Sequence, residues 1–209
     1  HPLLELQDGA RWVWKSDLLR PILFCSIVWN ISWFMLQATY VPYAVHTLGL
    51  NAGGVGMTLA LYGAGMIVGA LLAPRVIRAL PFGQAILLGP YFSVLAAVTM
   101  AMTLLWPVGW LAALSYFFFG SGPIIWVITS TTLRQTVTPR AMIGRVSSIN
   151  IVVSTGARPL GAALGGVLGV YFPVWVSLWC VVLGFTLQAL IISASRMRTL
   201  QKLPEPLPD

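Results

Sequence analysis

Six long apolar runs decide what this chain can fold into. They extend roughly over Leu19–Val45, Val55–Pro74, Gln84–Trp106, Trp110–Thr132, Val146–Val170 and Val174–Ala194. Each is long enough to cross a ~30 Å hydrocarbon layer as a helix, the longer ones with tilt. Lipid offers no partner to peptide N–H and C=O groups, so spanning segments must pair their backbone internally, and these runs read as helices. Turn formers separate them: Gly49, Gly53 and Gly54; Pro81 and Gly83; Pro107 and Gly109; Pro139 and Gly144; Pro173. Only 8% of the 209 residues are charged, against about 25% in soluble domains. Such a chain cannot clothe a water-facing surface, which excludes a soluble enzyme, a disordered chain and a disulfide scaffold. Cys25 and Cys180 both lie inside apolar runs and are read as reduced.

The charges test this parsing. Twelve Lys and Arg stand against five Asp and Glu. Arg11, Lys15 and Arg20 precede the first run, Arg75 and Arg78 follow the second, Arg134, Arg140 and Arg145 separate the fourth from the fifth, and Arg196, Arg198 and Lys202 follow the sixth. The alternate connections carry no Lys or Arg, so eleven of the twelve basic residues fall on one side. The positive-inside rule makes that side cytoplasmic, and a basic excess in so apolar a chain implies membrane topology, not nucleic acid. The expected organisation is a cytoplasmic segment over 1–18, a six-helix transmembrane domain over 19–195 and a cytoplasmic tail over 196–209. The setting is the lipid bilayer of the plasma (inner) membrane. Trp12, Trp14, Trp106, Trp110 and Trp175 fall near span ends, as interfacial anchors do. Residue 1 is His, and the polar stretch that follows lacks the apolar core of a signal peptide, so a piece of a longer protein is expected.

Between Leu18 and Pro204 there is no Asp or Glu. A proton-coupled transporter needs a titratable carboxylate at membrane depth, which would then lie outside this stretch. The same absence removes carboxylate metal sites and acid–base pairs, and two histidines are too few to ligate haem or zinc. No cofactor, no metal and no enzyme activity are expected. Span one carries Asn30, Gln37 and Tyr40, span four carries Tyr116 with Ser115 and a late Ser/Thr run, and span five aligns Ser147, Asn150, Ser154 and Arg158 as one polar stripe. Spans one, two, four and five are expected to face a polar interior, and spans three and six lipid. Asn30, Gln37, Tyr40, Tyr116, Asn150, Ser154 and Arg158 are the expected substrate pathway. Isolated hydroxyls such as those of Ser115 and Thr129 read instead as helix-to-helix glue.

Arg158 stands out. It lies about 20 Å along a helix from Arg145, near mid-membrane, where an arginine costs ~2.5–3.5 kcal/mol on insertion scales. It therefore calls for a partner: an anionic substrate group, a carboxylate on another segment, or helix-end carbonyls. Pro159 beside it frees the carbonyl of Thr155. Gly65 with Gly69, and Gly161 with Gly165, have the spacing of close helix contacts. Gly120, Gly122 and Pro123 are expected to break span four near its middle, and Pro159 to bend span five.

The stretch Leu133-Arg134-Gln135-Thr136-Val137-Thr138-Pro139-Arg140-Ala141-Met142-Ile143-Gly144-Arg145-Val146 resembles the loop between helices ten and eleven of major facilitator exporters. It is most similar to the drug- and siderophore-efflux branch, which includes enterobactin-exporter-like and macrolide-efflux-like proteins. Gly156-Ala157-Arg158-Pro159-Leu160-Gly161 fits the same branch, and the opening Asp8-Gly9-Ala10-Arg11-Trp12-Val13-Trp14 resembles the segment entering helix seven. The resemblance implies an all-α membrane fold, the C-terminal half of a twelve-helix transporter built as a 3+3 inverted repeat, with an N-terminal six-helix half as partner. It further implies export of a small organic molecule, with Arg75, Arg78, Arg134, Gln135, Pro139, Gly144 and Arg145 as a cytoplasmic loop motif. The family's loop acid between a half's second and third helices is absent here: Ala73 stands in its place. A six-helix membrane scaffold that transports nothing is the competing class.

Overall fold

The structure, a computed structural model, describes residues 2–205. Among these it contains seven α-helices and no strand: α1 (Pro2–Lys15), α2 (Leu19–His46), α3 (Ala52–Ala79), α4 (Phe82–Met102), α5 (Gly109–Thr136), α6 (Ile143–Tyr171) and α7 (Val174–Ser193). Six of them, α2 to α7, are long and apolar enough to cross a membrane. The helices overrun the expected boundaries where the breakers sit in first turns. Gly53 and Gly54 lie inside α3, whose N-terminus is capped by Asn51 accepting from the Gly54 N–H at 2.9 Å. The chain reaches that cap through Gly49 at φ 66°, a left-handed turn suited to glycine. At the other end α3 runs through Pro74 to Ala79, so Arg75 and Arg78 belong to the helix and not to a loop.

The helices form two units, α2–α4 and α5–α7, that exchange partners. Helix α3 packs on α5 and α6 on α2, while α4 packs on α5, α7 on α2, and α4 meets α7 between them. Because α2 starts and α5 ends at the basic end of the bundle, the two units run in opposite directions. Two glycine pairs set the closest approaches. A Cβ on Gly65 or Gly69 would overlap the α5 backbone at Phe117 or Ser121, and one on Gly161 or Gly165 would overlap α2 at Ile31 or Met35. In lipid, where apolar surface gains little by association, such backbone proximity is what holds helices together.

Helix α5 is not broken. It runs without interruption through Gly120, Gly122 and Pro123, and α6 likewise through Pro159. The small residues of α5 serve packing: Gly120 lies against the α3 backbone at Tyr62, and Gly122 against the ring of Phe92. Ser115 donates across to the Ala96 carbonyl of α4 at 2.7 Å, the glue expected of it, whereas Thr129 bonds back to its own helix.

Two clusters fill the interior. One, around Trp33, Leu36, Tyr116, Phe119 and Phe185, occupies the part away from the basic end. The other joins Val13, Leu19, Ile86, Leu133, Val146 and Met197 at the basic end. Here the polar opening stretch proves to be a helix, because its apolar residues recur on one side. Val13 of α1 is buried, Gly9 touches the α6 backbone at Arg145, and Asp8 faces the Arg145 guanidinium at 3.7 Å. Asp17 pairs with Arg196 at 3.0 Å. Beyond α7 a short 3-10 turn, Arg196–Thr199, buries Met197, and the next carbonyls, Leu200 and Gln201, accept from the Gly83 and Phe82 N–H groups that open α4. Outside, Tyr91, Leu95, Val98 and Met102 of α4, and Trp179, Leu183, Leu187 and Leu190 of α7, form exposed apolar stripes at helical spacing.

Candidate functional site

Arg158 sits on α6 three residues before Gly161. The glycine pulls α6 onto α2, and this delivers the guanidinium to the side of Asn30. Its Nε donates to Asn30 Oδ1 at 3.0 Å, and the Asn30 amide nitrogen donates in turn to the Ser26 carbonyl at 2.8 Å, which fixes the amide. The guanidinium also lies over the Phe34 ring, 5.5 Å from its centre, a favourable cation–π placement. Among the described residues, the partner of Arg158 is thus a side-chain amide, a contact the sequence did not anticipate. An amide orients the cation without neutralising it.

The pair opens on a cleft of about 230 Å³ between α2, α3, α5 and α6. Ser154, one turn before Arg158, and Ser26 complete its polar side, and Trp29, Tyr62, Met66, Pro123 and Trp126 form most of the rest. Trp29 and Tyr62 both stack on Trp33, at 5.5 and 5.1 Å between ring centres. The cleft is therefore one cation set in a wall of aromatic faces, suited to a planar or acceptor-bearing organic molecule.

The sequence-predicted pathway residues separate into three groups. Asn30, Ser154 and Arg158 come together at the cleft. Tyr40 and Tyr116 are sealed in the core: Tyr116 donates to Gln37 Oε1 at 2.6 Å and Tyr40 to Thr58 Oγ1 at 2.5 Å, so Gln37 points to Tyr116 and not to Asn30's partner. Asn150 lies nearer the basic end, in a small gap beside Leu19, Arg134 and Val146. Trp29, Trp33, Tyr62 and Trp126 were missed. The available signal was two tryptophans one turn apart at mid-span, far from the ends where such residues anchor.

The basic-end motif is mostly helical. Arg134 and Gln135 end α5, Pro139 opens a 3-10 turn over Arg140–Met142, and Gly144 and Arg145 begin α6. Arg78 folds back onto its own helix, Nε to the Pro74 carbonyl at 3.0 Å, and Arg75 is exposed.

Residues 3–206 match the family described as transmembrane secretion effector. The chain belongs to that family of major facilitator exporters. Among curated relatives, the enterobactin exporter EntS of Citrobacter koseri is 27% identical over 100% of this chain and 49% of its own length. EntS of Shigella flexneri is 28% identical over 81% of the chain and 38% of its own length, and that of Escherichia coli O81 is 26% identical over 81% and 39%. This member of the family thus spans less than half the length of the curated relatives it matches, and what it matches is their C-terminal part.

Proposed function

We propose that the chain forms the C-terminal six-helix half of a secondary transporter that exports a small organic molecule, of siderophore or drug type, by alternating access. The cleft around Arg158 is its share of the substrate path, and an N-terminal six-helix half supplies the opposite wall. One observation carries this reading: α3 and α6, two of the four helices around the cleft, are the least covered of the spans. Only 22% of the most apolar window of α3 and 17% of that of Arg140–Tyr171 are buried, against 61% for α4 and for α5. Lipid-facing stripes already exist on α4 and α7, so the bare faces of α3 and α6 are surfaces awaiting protein. Names of the relatives favour a siderophore-like cargo, and the cation–aromatic lining is compatible with one. Proton coupling is part of the same proposal, and its carboxylate would then belong to the other half, since the span from Leu18 to Pro204 holds no Asp or Glu.

In vesicles, the full-length protein should export substrate and the six-helix chain alone should not. Robust proton-dependent flux through the chain alone would overturn the half-transporter reading. The basic end lies in the cytoplasm, so an impermeant thiol reagent applied outside should modify a cysteine placed at Asn51 or Gly109, and not one at Arg78 or Arg140. Labelling at Arg78 would reverse the orientation.

A further inference from the structure

A guanidinium carries five N–H donors in a planar fork, and Arg158 uses one of them. Its Nε holds Asn30 Oδ1 at 3.0 Å, and the Phe34 ring covers one face of the plane at 5.5 Å. The two terminal nitrogens have no hydrogen-bond or ion-pair partner among the described residues. Arg158 is exposed, so these donors are open to the cleft it lines.

The group that holds Arg158 is as informative. Asn30 is 8% exposed, and its amide is pinned by the Ser26 carbonyl. An aspartate has nearly the same shape, accepts two bonds from a guanidinium and cancels its charge. No Asp or Glu occurs between Leu18 and Pro204, so no carboxylate of the spans does this. An arginine at membrane depth is costly, and a neutral acceptor leaves that cost in place until an anion binds. The walls describe the rest of the ligand. Trp29, Tyr62 and Trp126 present aromatic faces, and Arg158 is the single charged residue lining the cleft. One negative charge on a flat apolar frame matches this lining. A dianion would lack a second counter-charge, and a cation would meet Arg158 head on.

We infer that the cleft recognises a small aromatic monoanion, its carboxylate on the terminal nitrogens of Arg158 and its ring on the aromatic wall, and that Asn30 sets this charge preference. Asn30 is thus a positioning residue that acts through Arg158. The inference deepens the export reading and rests on the cleft's place in the substrate path.

Three photoprobes of one shape test it on the full-length protein in a neutral detergent: 4-benzoylbenzoate, the neutral 4-benzoylbenzamide and the cationic 4-(aminomethyl)benzophenone. Adducts are mapped by peptide mass spectrometry at Met66 and Val127 of the cleft, and normalised to those on the outward Leu95 and Leu183. The anion should exceed the cation at the cleft at least about tenfold, with the amide between them. Arg158→Gln should bring the anion down to the amide's level. Asn30→Asp, which keeps Arg158 but sets a carboxylate against it, should do the same and raise the cation, with amide adducts reporting an intact cleft. Equal labelling by anion and cation in the parent would mean that the other half neutralises Arg158, and would overturn the charge class. Absence of cleft adducts from all three probes would overturn the site. An anion preference that survives Asn30→Asp, or an Asn30→Asp protein that does not fold, would overturn the role of Asn30, and Arg158→Gln still decides the charge class. A protein with the anion preference but no export sinks the export reading alone; one that exports without the preference sinks this inference alone.

Discussion

Gly65 and Gly69 stand to α5 as Gly161 and Gly165 stand to α2, each pair pressed onto a carbonyl-bearing ridge of the partner helix. The correspondence continues outward. Three residues before the first glycine comes Tyr62 in one unit and Arg158 in the other, and both side chains reach the same cleft. The residue preceding each backbone contact is Tyr116 on α5 and Asn30 on α2. Tyr62 stacks on Trp33 and makes an apolar wall, while Arg158 bonds to Asn30 and makes a charged one. The backbone contacts are thus common to the two units, and the chemistry differs most at Tyr62 and Arg158, which the packing leaves facing the cleft.

The largest effects should come from attacking the shared device. Gly65→Leu and Gly161→Leu should each cost more than about 3 kcal/mol, because the obstacle is partner backbone and cannot swing aside. Both should leave little folded protein on size-exclusion chromatography, and tolerance of either one would break the equivalence. Gly63→Ala, where a Cβ meets nothing, should stay within about 0.5 kcal/mol. Next, Arg158→Ala should abolish transport by the full-length protein at near-normal expression, with Arg158→Lys recovering part of it through charge without the planar fork. Tyr62→Phe at the matching position should leave transport within about twofold. Normal transport by Arg158→Ala would show that the difference between the units is structural only. Asn30→Leu should destabilise by ~1–3 kcal/mol, read by thermal melting, since it strips the guanidinium of its fixed acceptor. Tyr116→Phe, on the other side of the comparison, should cost about 1 kcal/mol by removing the donor to Gln37. Smallest of all, Asp17→Asn should cost under about 1 kcal/mol and less still in high salt, its pair with Arg196 being largely exposed.

What the sequence disclosed, and what it hid, divides along physical lines. Spans were legible because lipid demands a continuous apolar length, and Leu19 and Val174 mark helix starts to the residue. The glycine pairs were legible by spacing, although not which carbonyl each would meet. Helix α1 stayed hidden since polar composition masked the burial of Val13 and the contact at Gly9. Pro123 misled: a proline costs one hydrogen bond, and dense packing of α5 against α3 and α4 outweighs that loss. The joining of Asn30 to Arg158 spans 128 positions, which no local periodicity encodes. The same holds for Tyr40 and Tyr116, whose hydroxyls suggested a wet surface and are satisfied by other helices instead.

The clasp at the start of α4 has a consequence for how the molecule is made. A helix cannot satisfy the N–H groups of its own first turn, and α4 has no side-chain cap at Pro81 to help. The acceptors for Phe82 and Gly83 are the carbonyls of Gln201 and Leu200, which leave the ribosome only after three further helices. Until then α4 carries open donors at the basic face. A chain truncated after α7 would therefore keep all six spans and leave the Phe82 and Gly83 donors open at the basic end.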